Sequence, residues 1–219
     1  MIFKNLMNLW RGISKAKQIC FIYPDVFIGP NVTIFPGAVI GRPPLSSGAT
    51  KRKIDINKLP TTTIESNCII GSNSVIYKGA KIGKNTMICD TACIRELVII
   101  GENSLIAQGV TINVNTKIGK NVKIMDNCHI TGNAIIEDNV FIGMLTTSAN
   151  DNSMGKGNAK LEDQRGPIIK RGVKIGQGSC LLPNIIIGEN ATIGANSVVT
   201  KDVLDDEIVM GSPAKRKGK

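Results

Sequence analysis

Aromatic side chains are scarce in this chain of 219 residues, where Phe, Tyr and Trp together make up 4%. Ordinary globular cores rely on such side chains, so this protein must bury its apolar surface in another way. The same scarcity argues against a nucleic-acid binder, whose basic patches alternate with stacking rings. Only one histidine, His129, is present, which excludes a zinc site made of three histidines.

Long apolar runs and paired cysteine motifs are also missing. The sequence has no run of about 18 apolar residues, so no membrane-spanning helix is predicted. Its six cysteines include no CxxC pair, so neither structural zinc nor another metal is expected. No cleavable signal pattern precedes the first repeats, and we therefore expect a reduced, cytoplasmic protein.

Positive charge is abundant, with a formal net charge of +10 at pH 7. A basic balance of this size favours anionic partners such as phosphorylated metabolites. Many of the lysines can nevertheless be simple surface decoration, because charged runs usually form solvated faces.

The dominant pattern is an isoleucine at every sixth position from Ile64 to Ile142. Four residues after each isoleucine comes a small or branched side chain, beginning with Cys68 and ending with Thr146. A period of six fits neither a helix nor the alternation of a single strand, so it indicates an internal repeat. Each repeat predicts a short strand followed by a corner.

Three such repeats can close one triangular coil, and stacked coils then share a continuous apolar column. We therefore predict an all-β fold, a parallel β-helix in which residues eighteen apart lie above one another. The ladder also covers Ile22 to Ile40 and, after a break, Ile169 to Val199. Counting repeats in these three runs predicts about eight coils.

The register divides the chain into three parts. Residues 1–20 carry apolar side chains at helical spacing and predict a short helical cap. Residues 21–203 form the β-helix, interrupted by two polar, glycine-containing excursions at about 42–62 and 147–167. Residues 204–219 form a C-terminal tail. Long excursions on a rigid scaffold often bind ligands.

The segments IGENATIGANSVVTKDV (187–203) and GSPAK (211–215) resemble the hexapeptide-repeat acyltransferases, whose β-helix is left-handed. The segments GRPPL (41–45), VIYKGAKIG (75–83), CDTACIRE (89–96) and TSANDNSMG (147–155) resemble the nucleotide-sugar N-acyltransferases in particular. The resemblance implies transfer of an acyl group from acyl-CoA to the amine of a dTDP-linked amino deoxysugar. It also implies a homotrimer with sites between subunits.

The resemblance places the catalytic base two residues after a ladder isoleucine, where Asp90 and Glu96 stand. Six residues of strand and turn separate the two carboxylates by about 15 Å, so one subunit cannot bring both to one amine. We therefore expect Asp90 of one subunit to meet Glu96 of the next. Alternatively, both are solvated surface carboxylates.

His129 is the competing base, because an imidazole titrates in the useful pH range. The eighteen-residue count places it on the outer wall, above Thr111 and Cys93. A His base is typical of the runner-up function, a hexapeptide O-acetyltransferase acting on serine, a plain sugar or a drug. A non-catalytic structural β-helix is a third possibility, although long loops and a charged wall argue against it.

The predicted CoA site lies at the last coil. Gly194 and Ala195 allow a close approach of the pantetheine arm to the backbone. A cation there is implied to meet the CoA phosphates, and Lys201, Lys215 and Arg216 are the candidates.

Four residues are predicted to bind the sugar nucleotide. Arg42, in the first excursion, is a candidate for the diphosphate, and Tyr77 for stacking on the base or shielding a subunit interface. Asn150 and Asp151, in the second excursion, offer hydrogen-bonding groups for sugar hydroxyls.

Overall fold

The computed structural model describes residues 20–46, 54–153 and 164–217. These residues form a left-handed β-helix of three parallel sheets, as predicted. The predicted helix lies outside the described residues except for Cys20, which is not helical. One turn of 3-10 helix, Ile56–Lys58, lies in the first excursion.

We name the sheets the first, second and third face in the order in which the chain enters them. The first face consists of β1 (Phe21–Ile22), β4 (Val39–Arg42), β7 (Val75–Tyr77), β10 (Cys93–Ile94), β13 (Thr111–Ile112), β16 (His129–Ile130), β19 (Thr147–Ser148), β22 (Cys180–Leu181) and β25 (Val198–Val199). The second face consists of β2 (Val26–Ile28), β5 (Thr62–Ile64), β8 (Lys81–Ile82), β11 (Ile99–Ile100), β14 (Lys117–Ile118), β17 (Ile135–Ile136), β20 (Ile168–Ile169) and β23 (Ile186–Ile187). The third face consists of β3 (Thr33–Ile34), β6 (Ile69–Ile70), β9 (Met87–Ile88), β12 (Leu105–Ile106), β15 (Lys123–Ile124), β18 (Phe141–Ile142), β21 (Lys174–Ile175), β24 (Thr192–Ile193), β26 (Ile208–Met210) and β27 (Lys215–Arg216).

The register follows the eighteen-residue rule. Ile100 pairs with Ile82 on one side and with Ile118 on the other. All three side chains are at most 3% exposed and form one buried file. β-branched isoleucine suits such a stacked ladder, and the small residue four positions later fills the corner. The predicted core is therefore confirmed.

The coil count is corrected. Within the described residues the three faces contain nine, eight and ten strands, more than eight coils would supply. One extra strand is β19, where Ser148 takes the inward position of an isoleucine. Another is β26 in the tail, which pairs in parallel with β24. β27 then folds back antiparallel on β26 and ends the sheet. Counting isoleucines missed β19 because a serine replaces isoleucine six residues after Ile142, and missed β26 because this strand lies outside the six-residue repeat.

Asparagine shapes the corners. All but three of the non-glycine residues with positive φ in the described chain are Asn or Asp. Their short polar side chains tolerate this left-handed conformation, which other side chains adopt at a cost. On the second edge, between the second and third faces, these asparagines form a ladder: Asn67 donates to Asn85 and Asn85 to Asn103, at 3.1 and 3.0 Å. Asparagine three residues after an isoleucine, as at Asn67, Asn85 and Asn103, was a sequence signal for these corners.

Both excursions leave the coil at the same place. The first separates β4 from β5 and the second separates β19 from β20, so both lie on the first edge, between the first and second faces. Five coil steps separate β4 from β19, about 24 Å at the usual strand spacing. The two loops thus flank one stretch of the first face. Across the described ranges, no helix has the length and apolar character needed to cross a bilayer.

Candidate functional site

The stretch of the first face between the two excursions carries Tyr77, Cys93 and His129 on its strands, and Arg95 and Glu96 directly follow one of them. It comprises β7, β10, β13 and β16. Tyr77 lies at its upper end, one strand from the first excursion, and His129 lies at its lower end, one strand from the second. Because the coil is rigid and the loops are attached to it, this stretch is the candidate site.

Tyr77 lies between two arginines. β7 pairs with β4 on one side and β10 on the other, and each neighbour supplies one guanidinium. The Arg42 and Arg95 guanidinium carbons lie 5.3 and 4.8 Å from the ring centroid, within cation–π range. A register shift after Ile40 brings Arg42 opposite Tyr77. Arg42 thus belongs to a strand end and not to the loop in which the sequence placed it.

Glu96 is held by Arg95. The Arg95 Nε donates to one Glu96 carboxylate oxygen at 2.9 Å, and a terminal nitrogen donates to the other at 3.4 Å. The Glu96 side chain is fully buried, whereas that of Arg95 is 30% exposed. The expectation that Glu96 projects outward toward a neighbouring subunit is therefore not met, because a buried charge must keep its partner.

Asp90 lies on the third edge, between the third and first faces, and is exposed. Its carboxylate accepts a hydrogen bond from the backbone N–H of Ser72, one coil back, at 2.7 Å. Two other corner aspartates do the same: Asp126 accepts from the Gln108 amide and Asp138 from that of Lys120, at 3.2 and 2.9 Å. Because the same hydrogen bond recurs at three corners, we interpret the Asp90 carboxylate as a brace that stabilises its corner.

His129 points out of the first face. It pairs with Thr111 on one side and Thr147 on the other, and Cys93 lies beyond Thr111. Two coils separate it from β10, about 10 Å at the usual strand spacing. Burial lowers the pKa of His129 below its usual value of 6.5, so the imidazole is neutral at pH 7. A neutral, half-exposed imidazole is suited to accept a proton.

Cys93 lies on the first face between Tyr77 and His129. Burial raises the pKa of its thiol, while the positive charges of Arg95 and Arg42 act in the opposite direction. The thiol is therefore protonated and unreactive at neutral pH. Within the described chain, no three His, Cys, Asp or Glu side chains are grouped to hold a metal ion.

A groove of about 850 Å³ runs along the first edge beside this surface. Its walls come from corner residues and from outward side chains of the second face, and Gln164, Arg165 and Gly166 of the second excursion close one side. Asn150 and Asp151 line an adjoining cavity of about 470 Å³ with Arg165. Asp151 also accepts hydrogen bonds from the amide and hydroxyl of Ser153, which holds this part of the loop.

The residues predicted to bind CoA lie at the far end of the coil. Gly194 packs directly under Met210, and its amide donates to the Val209 carbonyl at 2.8 Å. The close approach that glycine allows is therefore taken up by Met210 of the same chain. Ala195 is exposed and stacks on Gly176.

The three predicted cations are exposed and lie in or near the terminal hairpin. Lys215 and Arg216 form β27, and Lys201 follows β25. The Arg216 Nε lies 3.6 Å from a Glu207 carboxylate oxygen, so part of its charge is already balanced.

Arg95 is the residue that reasoning from the sequence missed. It lies eighteen positions after Tyr77, and counting in eighteens therefore identifies it as the neighbour of that ring. The bulge that brings Arg42 to the opposite side has no comparable sequence signal.

The six-residue isoleucine repeat, the asparagine-rich corners and the three-faced coil define the protein as a left-handed β-helix of the hexapeptide type. The profile of the family described as bacterial transferase hexapeptide (six repeats) matches residues 61–96, 115–147 and 166–201. The chain belongs to this hexapeptide-repeat transferase family.

Two curated relatives match over short segments. Serine acetyltransferase of Buchnera aphidicola subsp. Acyrthosiphon pisum is 40% identical over 82 residues, which are 35% of this chain and 30% of that protein. The dTDP-3-amino-3,6-dideoxy-alpha-D-galactopyranose 3-N-acetyltransferase of Aneurinibacillus thermoaerophilus is 47% identical over 51 residues, 23% of this chain and 27% of that protein. The matches thus span less than a third of the length of either relative.

Among solved structures, UDP-N-acetylglucosamine acyltransferase from Campylobacter jejuni superposes with a TM-score of 0.72. The superposition covers 90% of this chain and 72% of that one, at 19% sequence identity. This likeness establishes the shared fold alone.

Proposed function

We propose that this protein transfers an acyl group from acyl-CoA to the amine of a nucleotide-diphosphate-linked amino deoxysugar. The observation that carries the proposal is the arrangement on the first face, where two loops flank an arginine–tyrosine–arginine stack and an outward, neutral His129. The segment shared with the dTDP-amino-sugar N-acetyltransferase supports the choice of acceptor. The net charge of +10 suits two polyanionic substrates.

In this proposal His129 is the general base. Its neutral imidazole takes a proton from the sugar ammonium, and the amine nitrogen then attacks the thioester carbonyl carbon. The attacking nitrogen loses a proton, the carbon–sulfur bond of the tetrahedral intermediate breaks, and the CoA thiolate leaves and takes up that proton. Asp90 and Glu96 have other roles: Asp90 braces a corner, and Glu96 keeps Arg95 in place beside Tyr77.

The acceptor's diphosphate is assigned to the exposed guanidinium of Arg42, because arginine pairs well with phosphate oxygens. With guanidinium groups near its ring on both sides, Tyr77 positions these cations and is not free to stack fully on a base. Asn150 and Asp151 are assigned to the sugar hydroxyls. Lys201, Lys215 and Arg216 are assigned to the CoA phosphates, with Gly194 and Ala195 beside the pantetheine arm.

We further propose that the active form is a homotrimer. Apolar side chains of the second face support this, because Phe27 and Ile99 are each more than 40% exposed and lie outside the groove on the first edge. Light scattering after size exclusion tests the assembly, and a mass equal to that of one chain would contradict it.

A second candidate is an O-acetyltransferase that uses the same base. The match to serine acetyltransferase and the outward His129 favour it. Here the imidazole takes the proton of a hydroxyl as its oxygen attacks the thioester carbonyl carbon. The carbon–sulfur bond then breaks, and the imidazolium returns the proton to the leaving thiolate. The two candidates differ in acceptor and not in base.

The deciding experiment incubates the protein with acetyl-CoA and one acceptor at a time while thiol release is monitored. The acceptors are dTDP-, UDP- and GDP-linked amino sugars, serine and a galactoside. Turnover with an amino sugar nucleotide, with an N-acyl product in the mass spectrum, is the expected result. Turnover with serine or the galactoside alone would favour the second candidate, and none with any acceptor would overturn both.

A further inference from the structure

Leu97 departs from the chemistry of the corners. Only three described non-glycine residues with positive φ are neither Asn nor Asp, and these are Thr91, Leu97 and Leu145. A bulky side chain in this conformation is strained, because its Cβ crowds the following carbonyl. Such strain persists where the surrounding structure imposes it, and it clusters at functional sites.

The fold itself does not require leucine at this corner. The next corners of the first edge are Asn115 and Asn133, eighteen and thirty-six positions further on, and Asn115 donates to Asn133 at 2.9 Å. An asparagine at position 97 would relieve the strain and is placed to extend this ladder by one step. The leucine side chain instead lies close to Gly79 and lines the groove on the first edge.

The groove offers a largely apolar surface with one arginine and one aspartate in its lining. Five aliphatic side chains line it, and Arg165 and several asparagines stand at its border. The aliphatic side chains are Leu97, Val114, Ile135, Ile168 and Ile186. The one carboxylate in the lining, Asp202, accepts a hydrogen bond from the Ile186 amide at 2.8 Å. An occupant with an apolar chain and a carbonyl end that can accept a hydrogen bond from Arg165 matches this lining.

The groove also lies close to the proposed base. Asn133, which lines it, follows His129 by only four residues around the corner. An acyl chain in the groove can therefore end near the first face.

We propose that this groove receives the acyl chain of the donor, that the chain is longer than acetyl, and that Leu97 is a specificity-determining residue for it. This inference rests on the proposed function for the identity of the donor. Each buried methylene is expected to tighten binding roughly fourfold, until the groove is filled.

The test measures binding, which needs no acceptor. S-alkyl-CoA thioethers with two, four, six and eight carbons are titrated calorimetrically into the wild type, Leu97→Asn and Leu145→Asn. Leu145 is the matched control, because it has the same strained conformation on the third edge, outside the groove lining. Melting temperature and mass by light scattering are recorded for each variant.

Affinity in the wild type should rise with chain length. Leu97→Asn should abolish most of that rise while raising the melting temperature, whereas Leu145→Asn should raise the melting temperature and keep the rise. A flat series in the wild type, an unchanged series in Leu97→Asn, or no binding of any thioether would overturn the inference. A loss of oligomeric mass in Leu97→Asn would also overturn it, because the groove would then be an interface between copies.

The two proposals fail separately. If the thioethers bind as expected but no amino sugar is acylated, the acceptor assignment fails and the groove assignment stands.

Discussion

The first and second edges of the coil are built from the same repeat but differ in regularity. On the second edge Asn67, Asn85 and Asn103 follow one another at eighteen-residue intervals and bond in series. On the first edge Leu97 breaks that series, a fully buried glutamate lies beside it, and both excursions leave the coil. Thr91 and Leu145 are exceptions on the third edge, but the first edge combines a strained leucine, a buried glutamate and both excursions.

Among the substitutions that test this difference between regions, removal of the His129 imidazole is expected to have the largest effect. His129→Ala should reduce kcat/KM by a factor of about 10² to 10⁴, the usual contribution of a general base. The melting temperature should stay close to that of the wild type, because the side chain is half-exposed and faces outward. Lys123→Ala, at the equivalent strand position on the third face, is the control and should keep its activity.

The pH dependence follows from burial. Because burial lowers the pKa of His129, the acid limb of the kcat/KM profile should lie below pH 6.5. Below that pH the unfolded chain binds the proton more readily than the folded one, so stability should also decline slightly. Full activity in His129→Ala would show that this residue is a bystander.

Glu96→Gln is expected to have the next largest effect. It leaves Arg95 without a charged partner beside Tyr77, and because that guanidinium is partly exposed the cost should be about 1.5 to 3 kcal/mol, that of a hydrogen bond to a charged group. Urea unfolding should therefore show a large loss of stability. The control is Glu102→Gln, which breaks an exposed pair with Lys84 and should cost less than about 1 kcal/mol. Equal losses of unfolding free energy in the two variants would show that the Arg95–Glu96 pair stabilises the fold no more than the exposed Lys84–Glu102 pair.

Asn85→Ala tests the regular edge. Alanine must adopt the left-handed conformation of this corner, and both ladder bonds of the residue are lost. Together these effects should lower the free energy of unfolding by about 1 to 2 kcal/mol. Asn85→Gly loses the bonds without the strain and should be destabilised less. The reverse order would contradict the conformational account.

Asp90→Asn should have the smallest effect. If Asp90 only braces its corner, the variant loses the charge of one exposed hydrogen bond and is destabilised by less than about 1 kcal/mol. Asp126→Asn removes the same type of brace from Gln108 and should behave alike. Turnover should persist in both variants. A selective loss of turnover in Asp90→Asn would restore Asp90 as a catalytic residue.

Much of this architecture could be predicted from the sequence because the repeat is local. Ile82, Ile100 and Ile118 are identical in context, so one rule places all three in a single buried file. The same count places His129 above Thr111 and Cys93, as the structure has it. It failed at Ser148, where a serine stands at an isoleucine position, and at residues 208–210, where a strand forms outside the repeat.

The site was harder to predict, because it depends on departures from the repeat. Sequence reasoning named Arg42 and Tyr77 separately but not Arg95 between Tyr77 and Glu96. It treated Glu96 as an outward carboxylate, although the side chain is buried. The position of a residue in the repeat predicts its backbone conformation. The groups that a long side chain contacts depend on the residues packed around it.

The sequence by itself determined the coil, because six-residue periodicity allows stacking in only one register. Tertiary structure decided which exceptions meet: a bulge after Ile40 brings Arg42 to Tyr77, and the shared first edge brings the two excursions to one stretch of wall. Those encounters join residues far apart in the chain, and no local pattern encodes them, since they arise only when the coils are stacked.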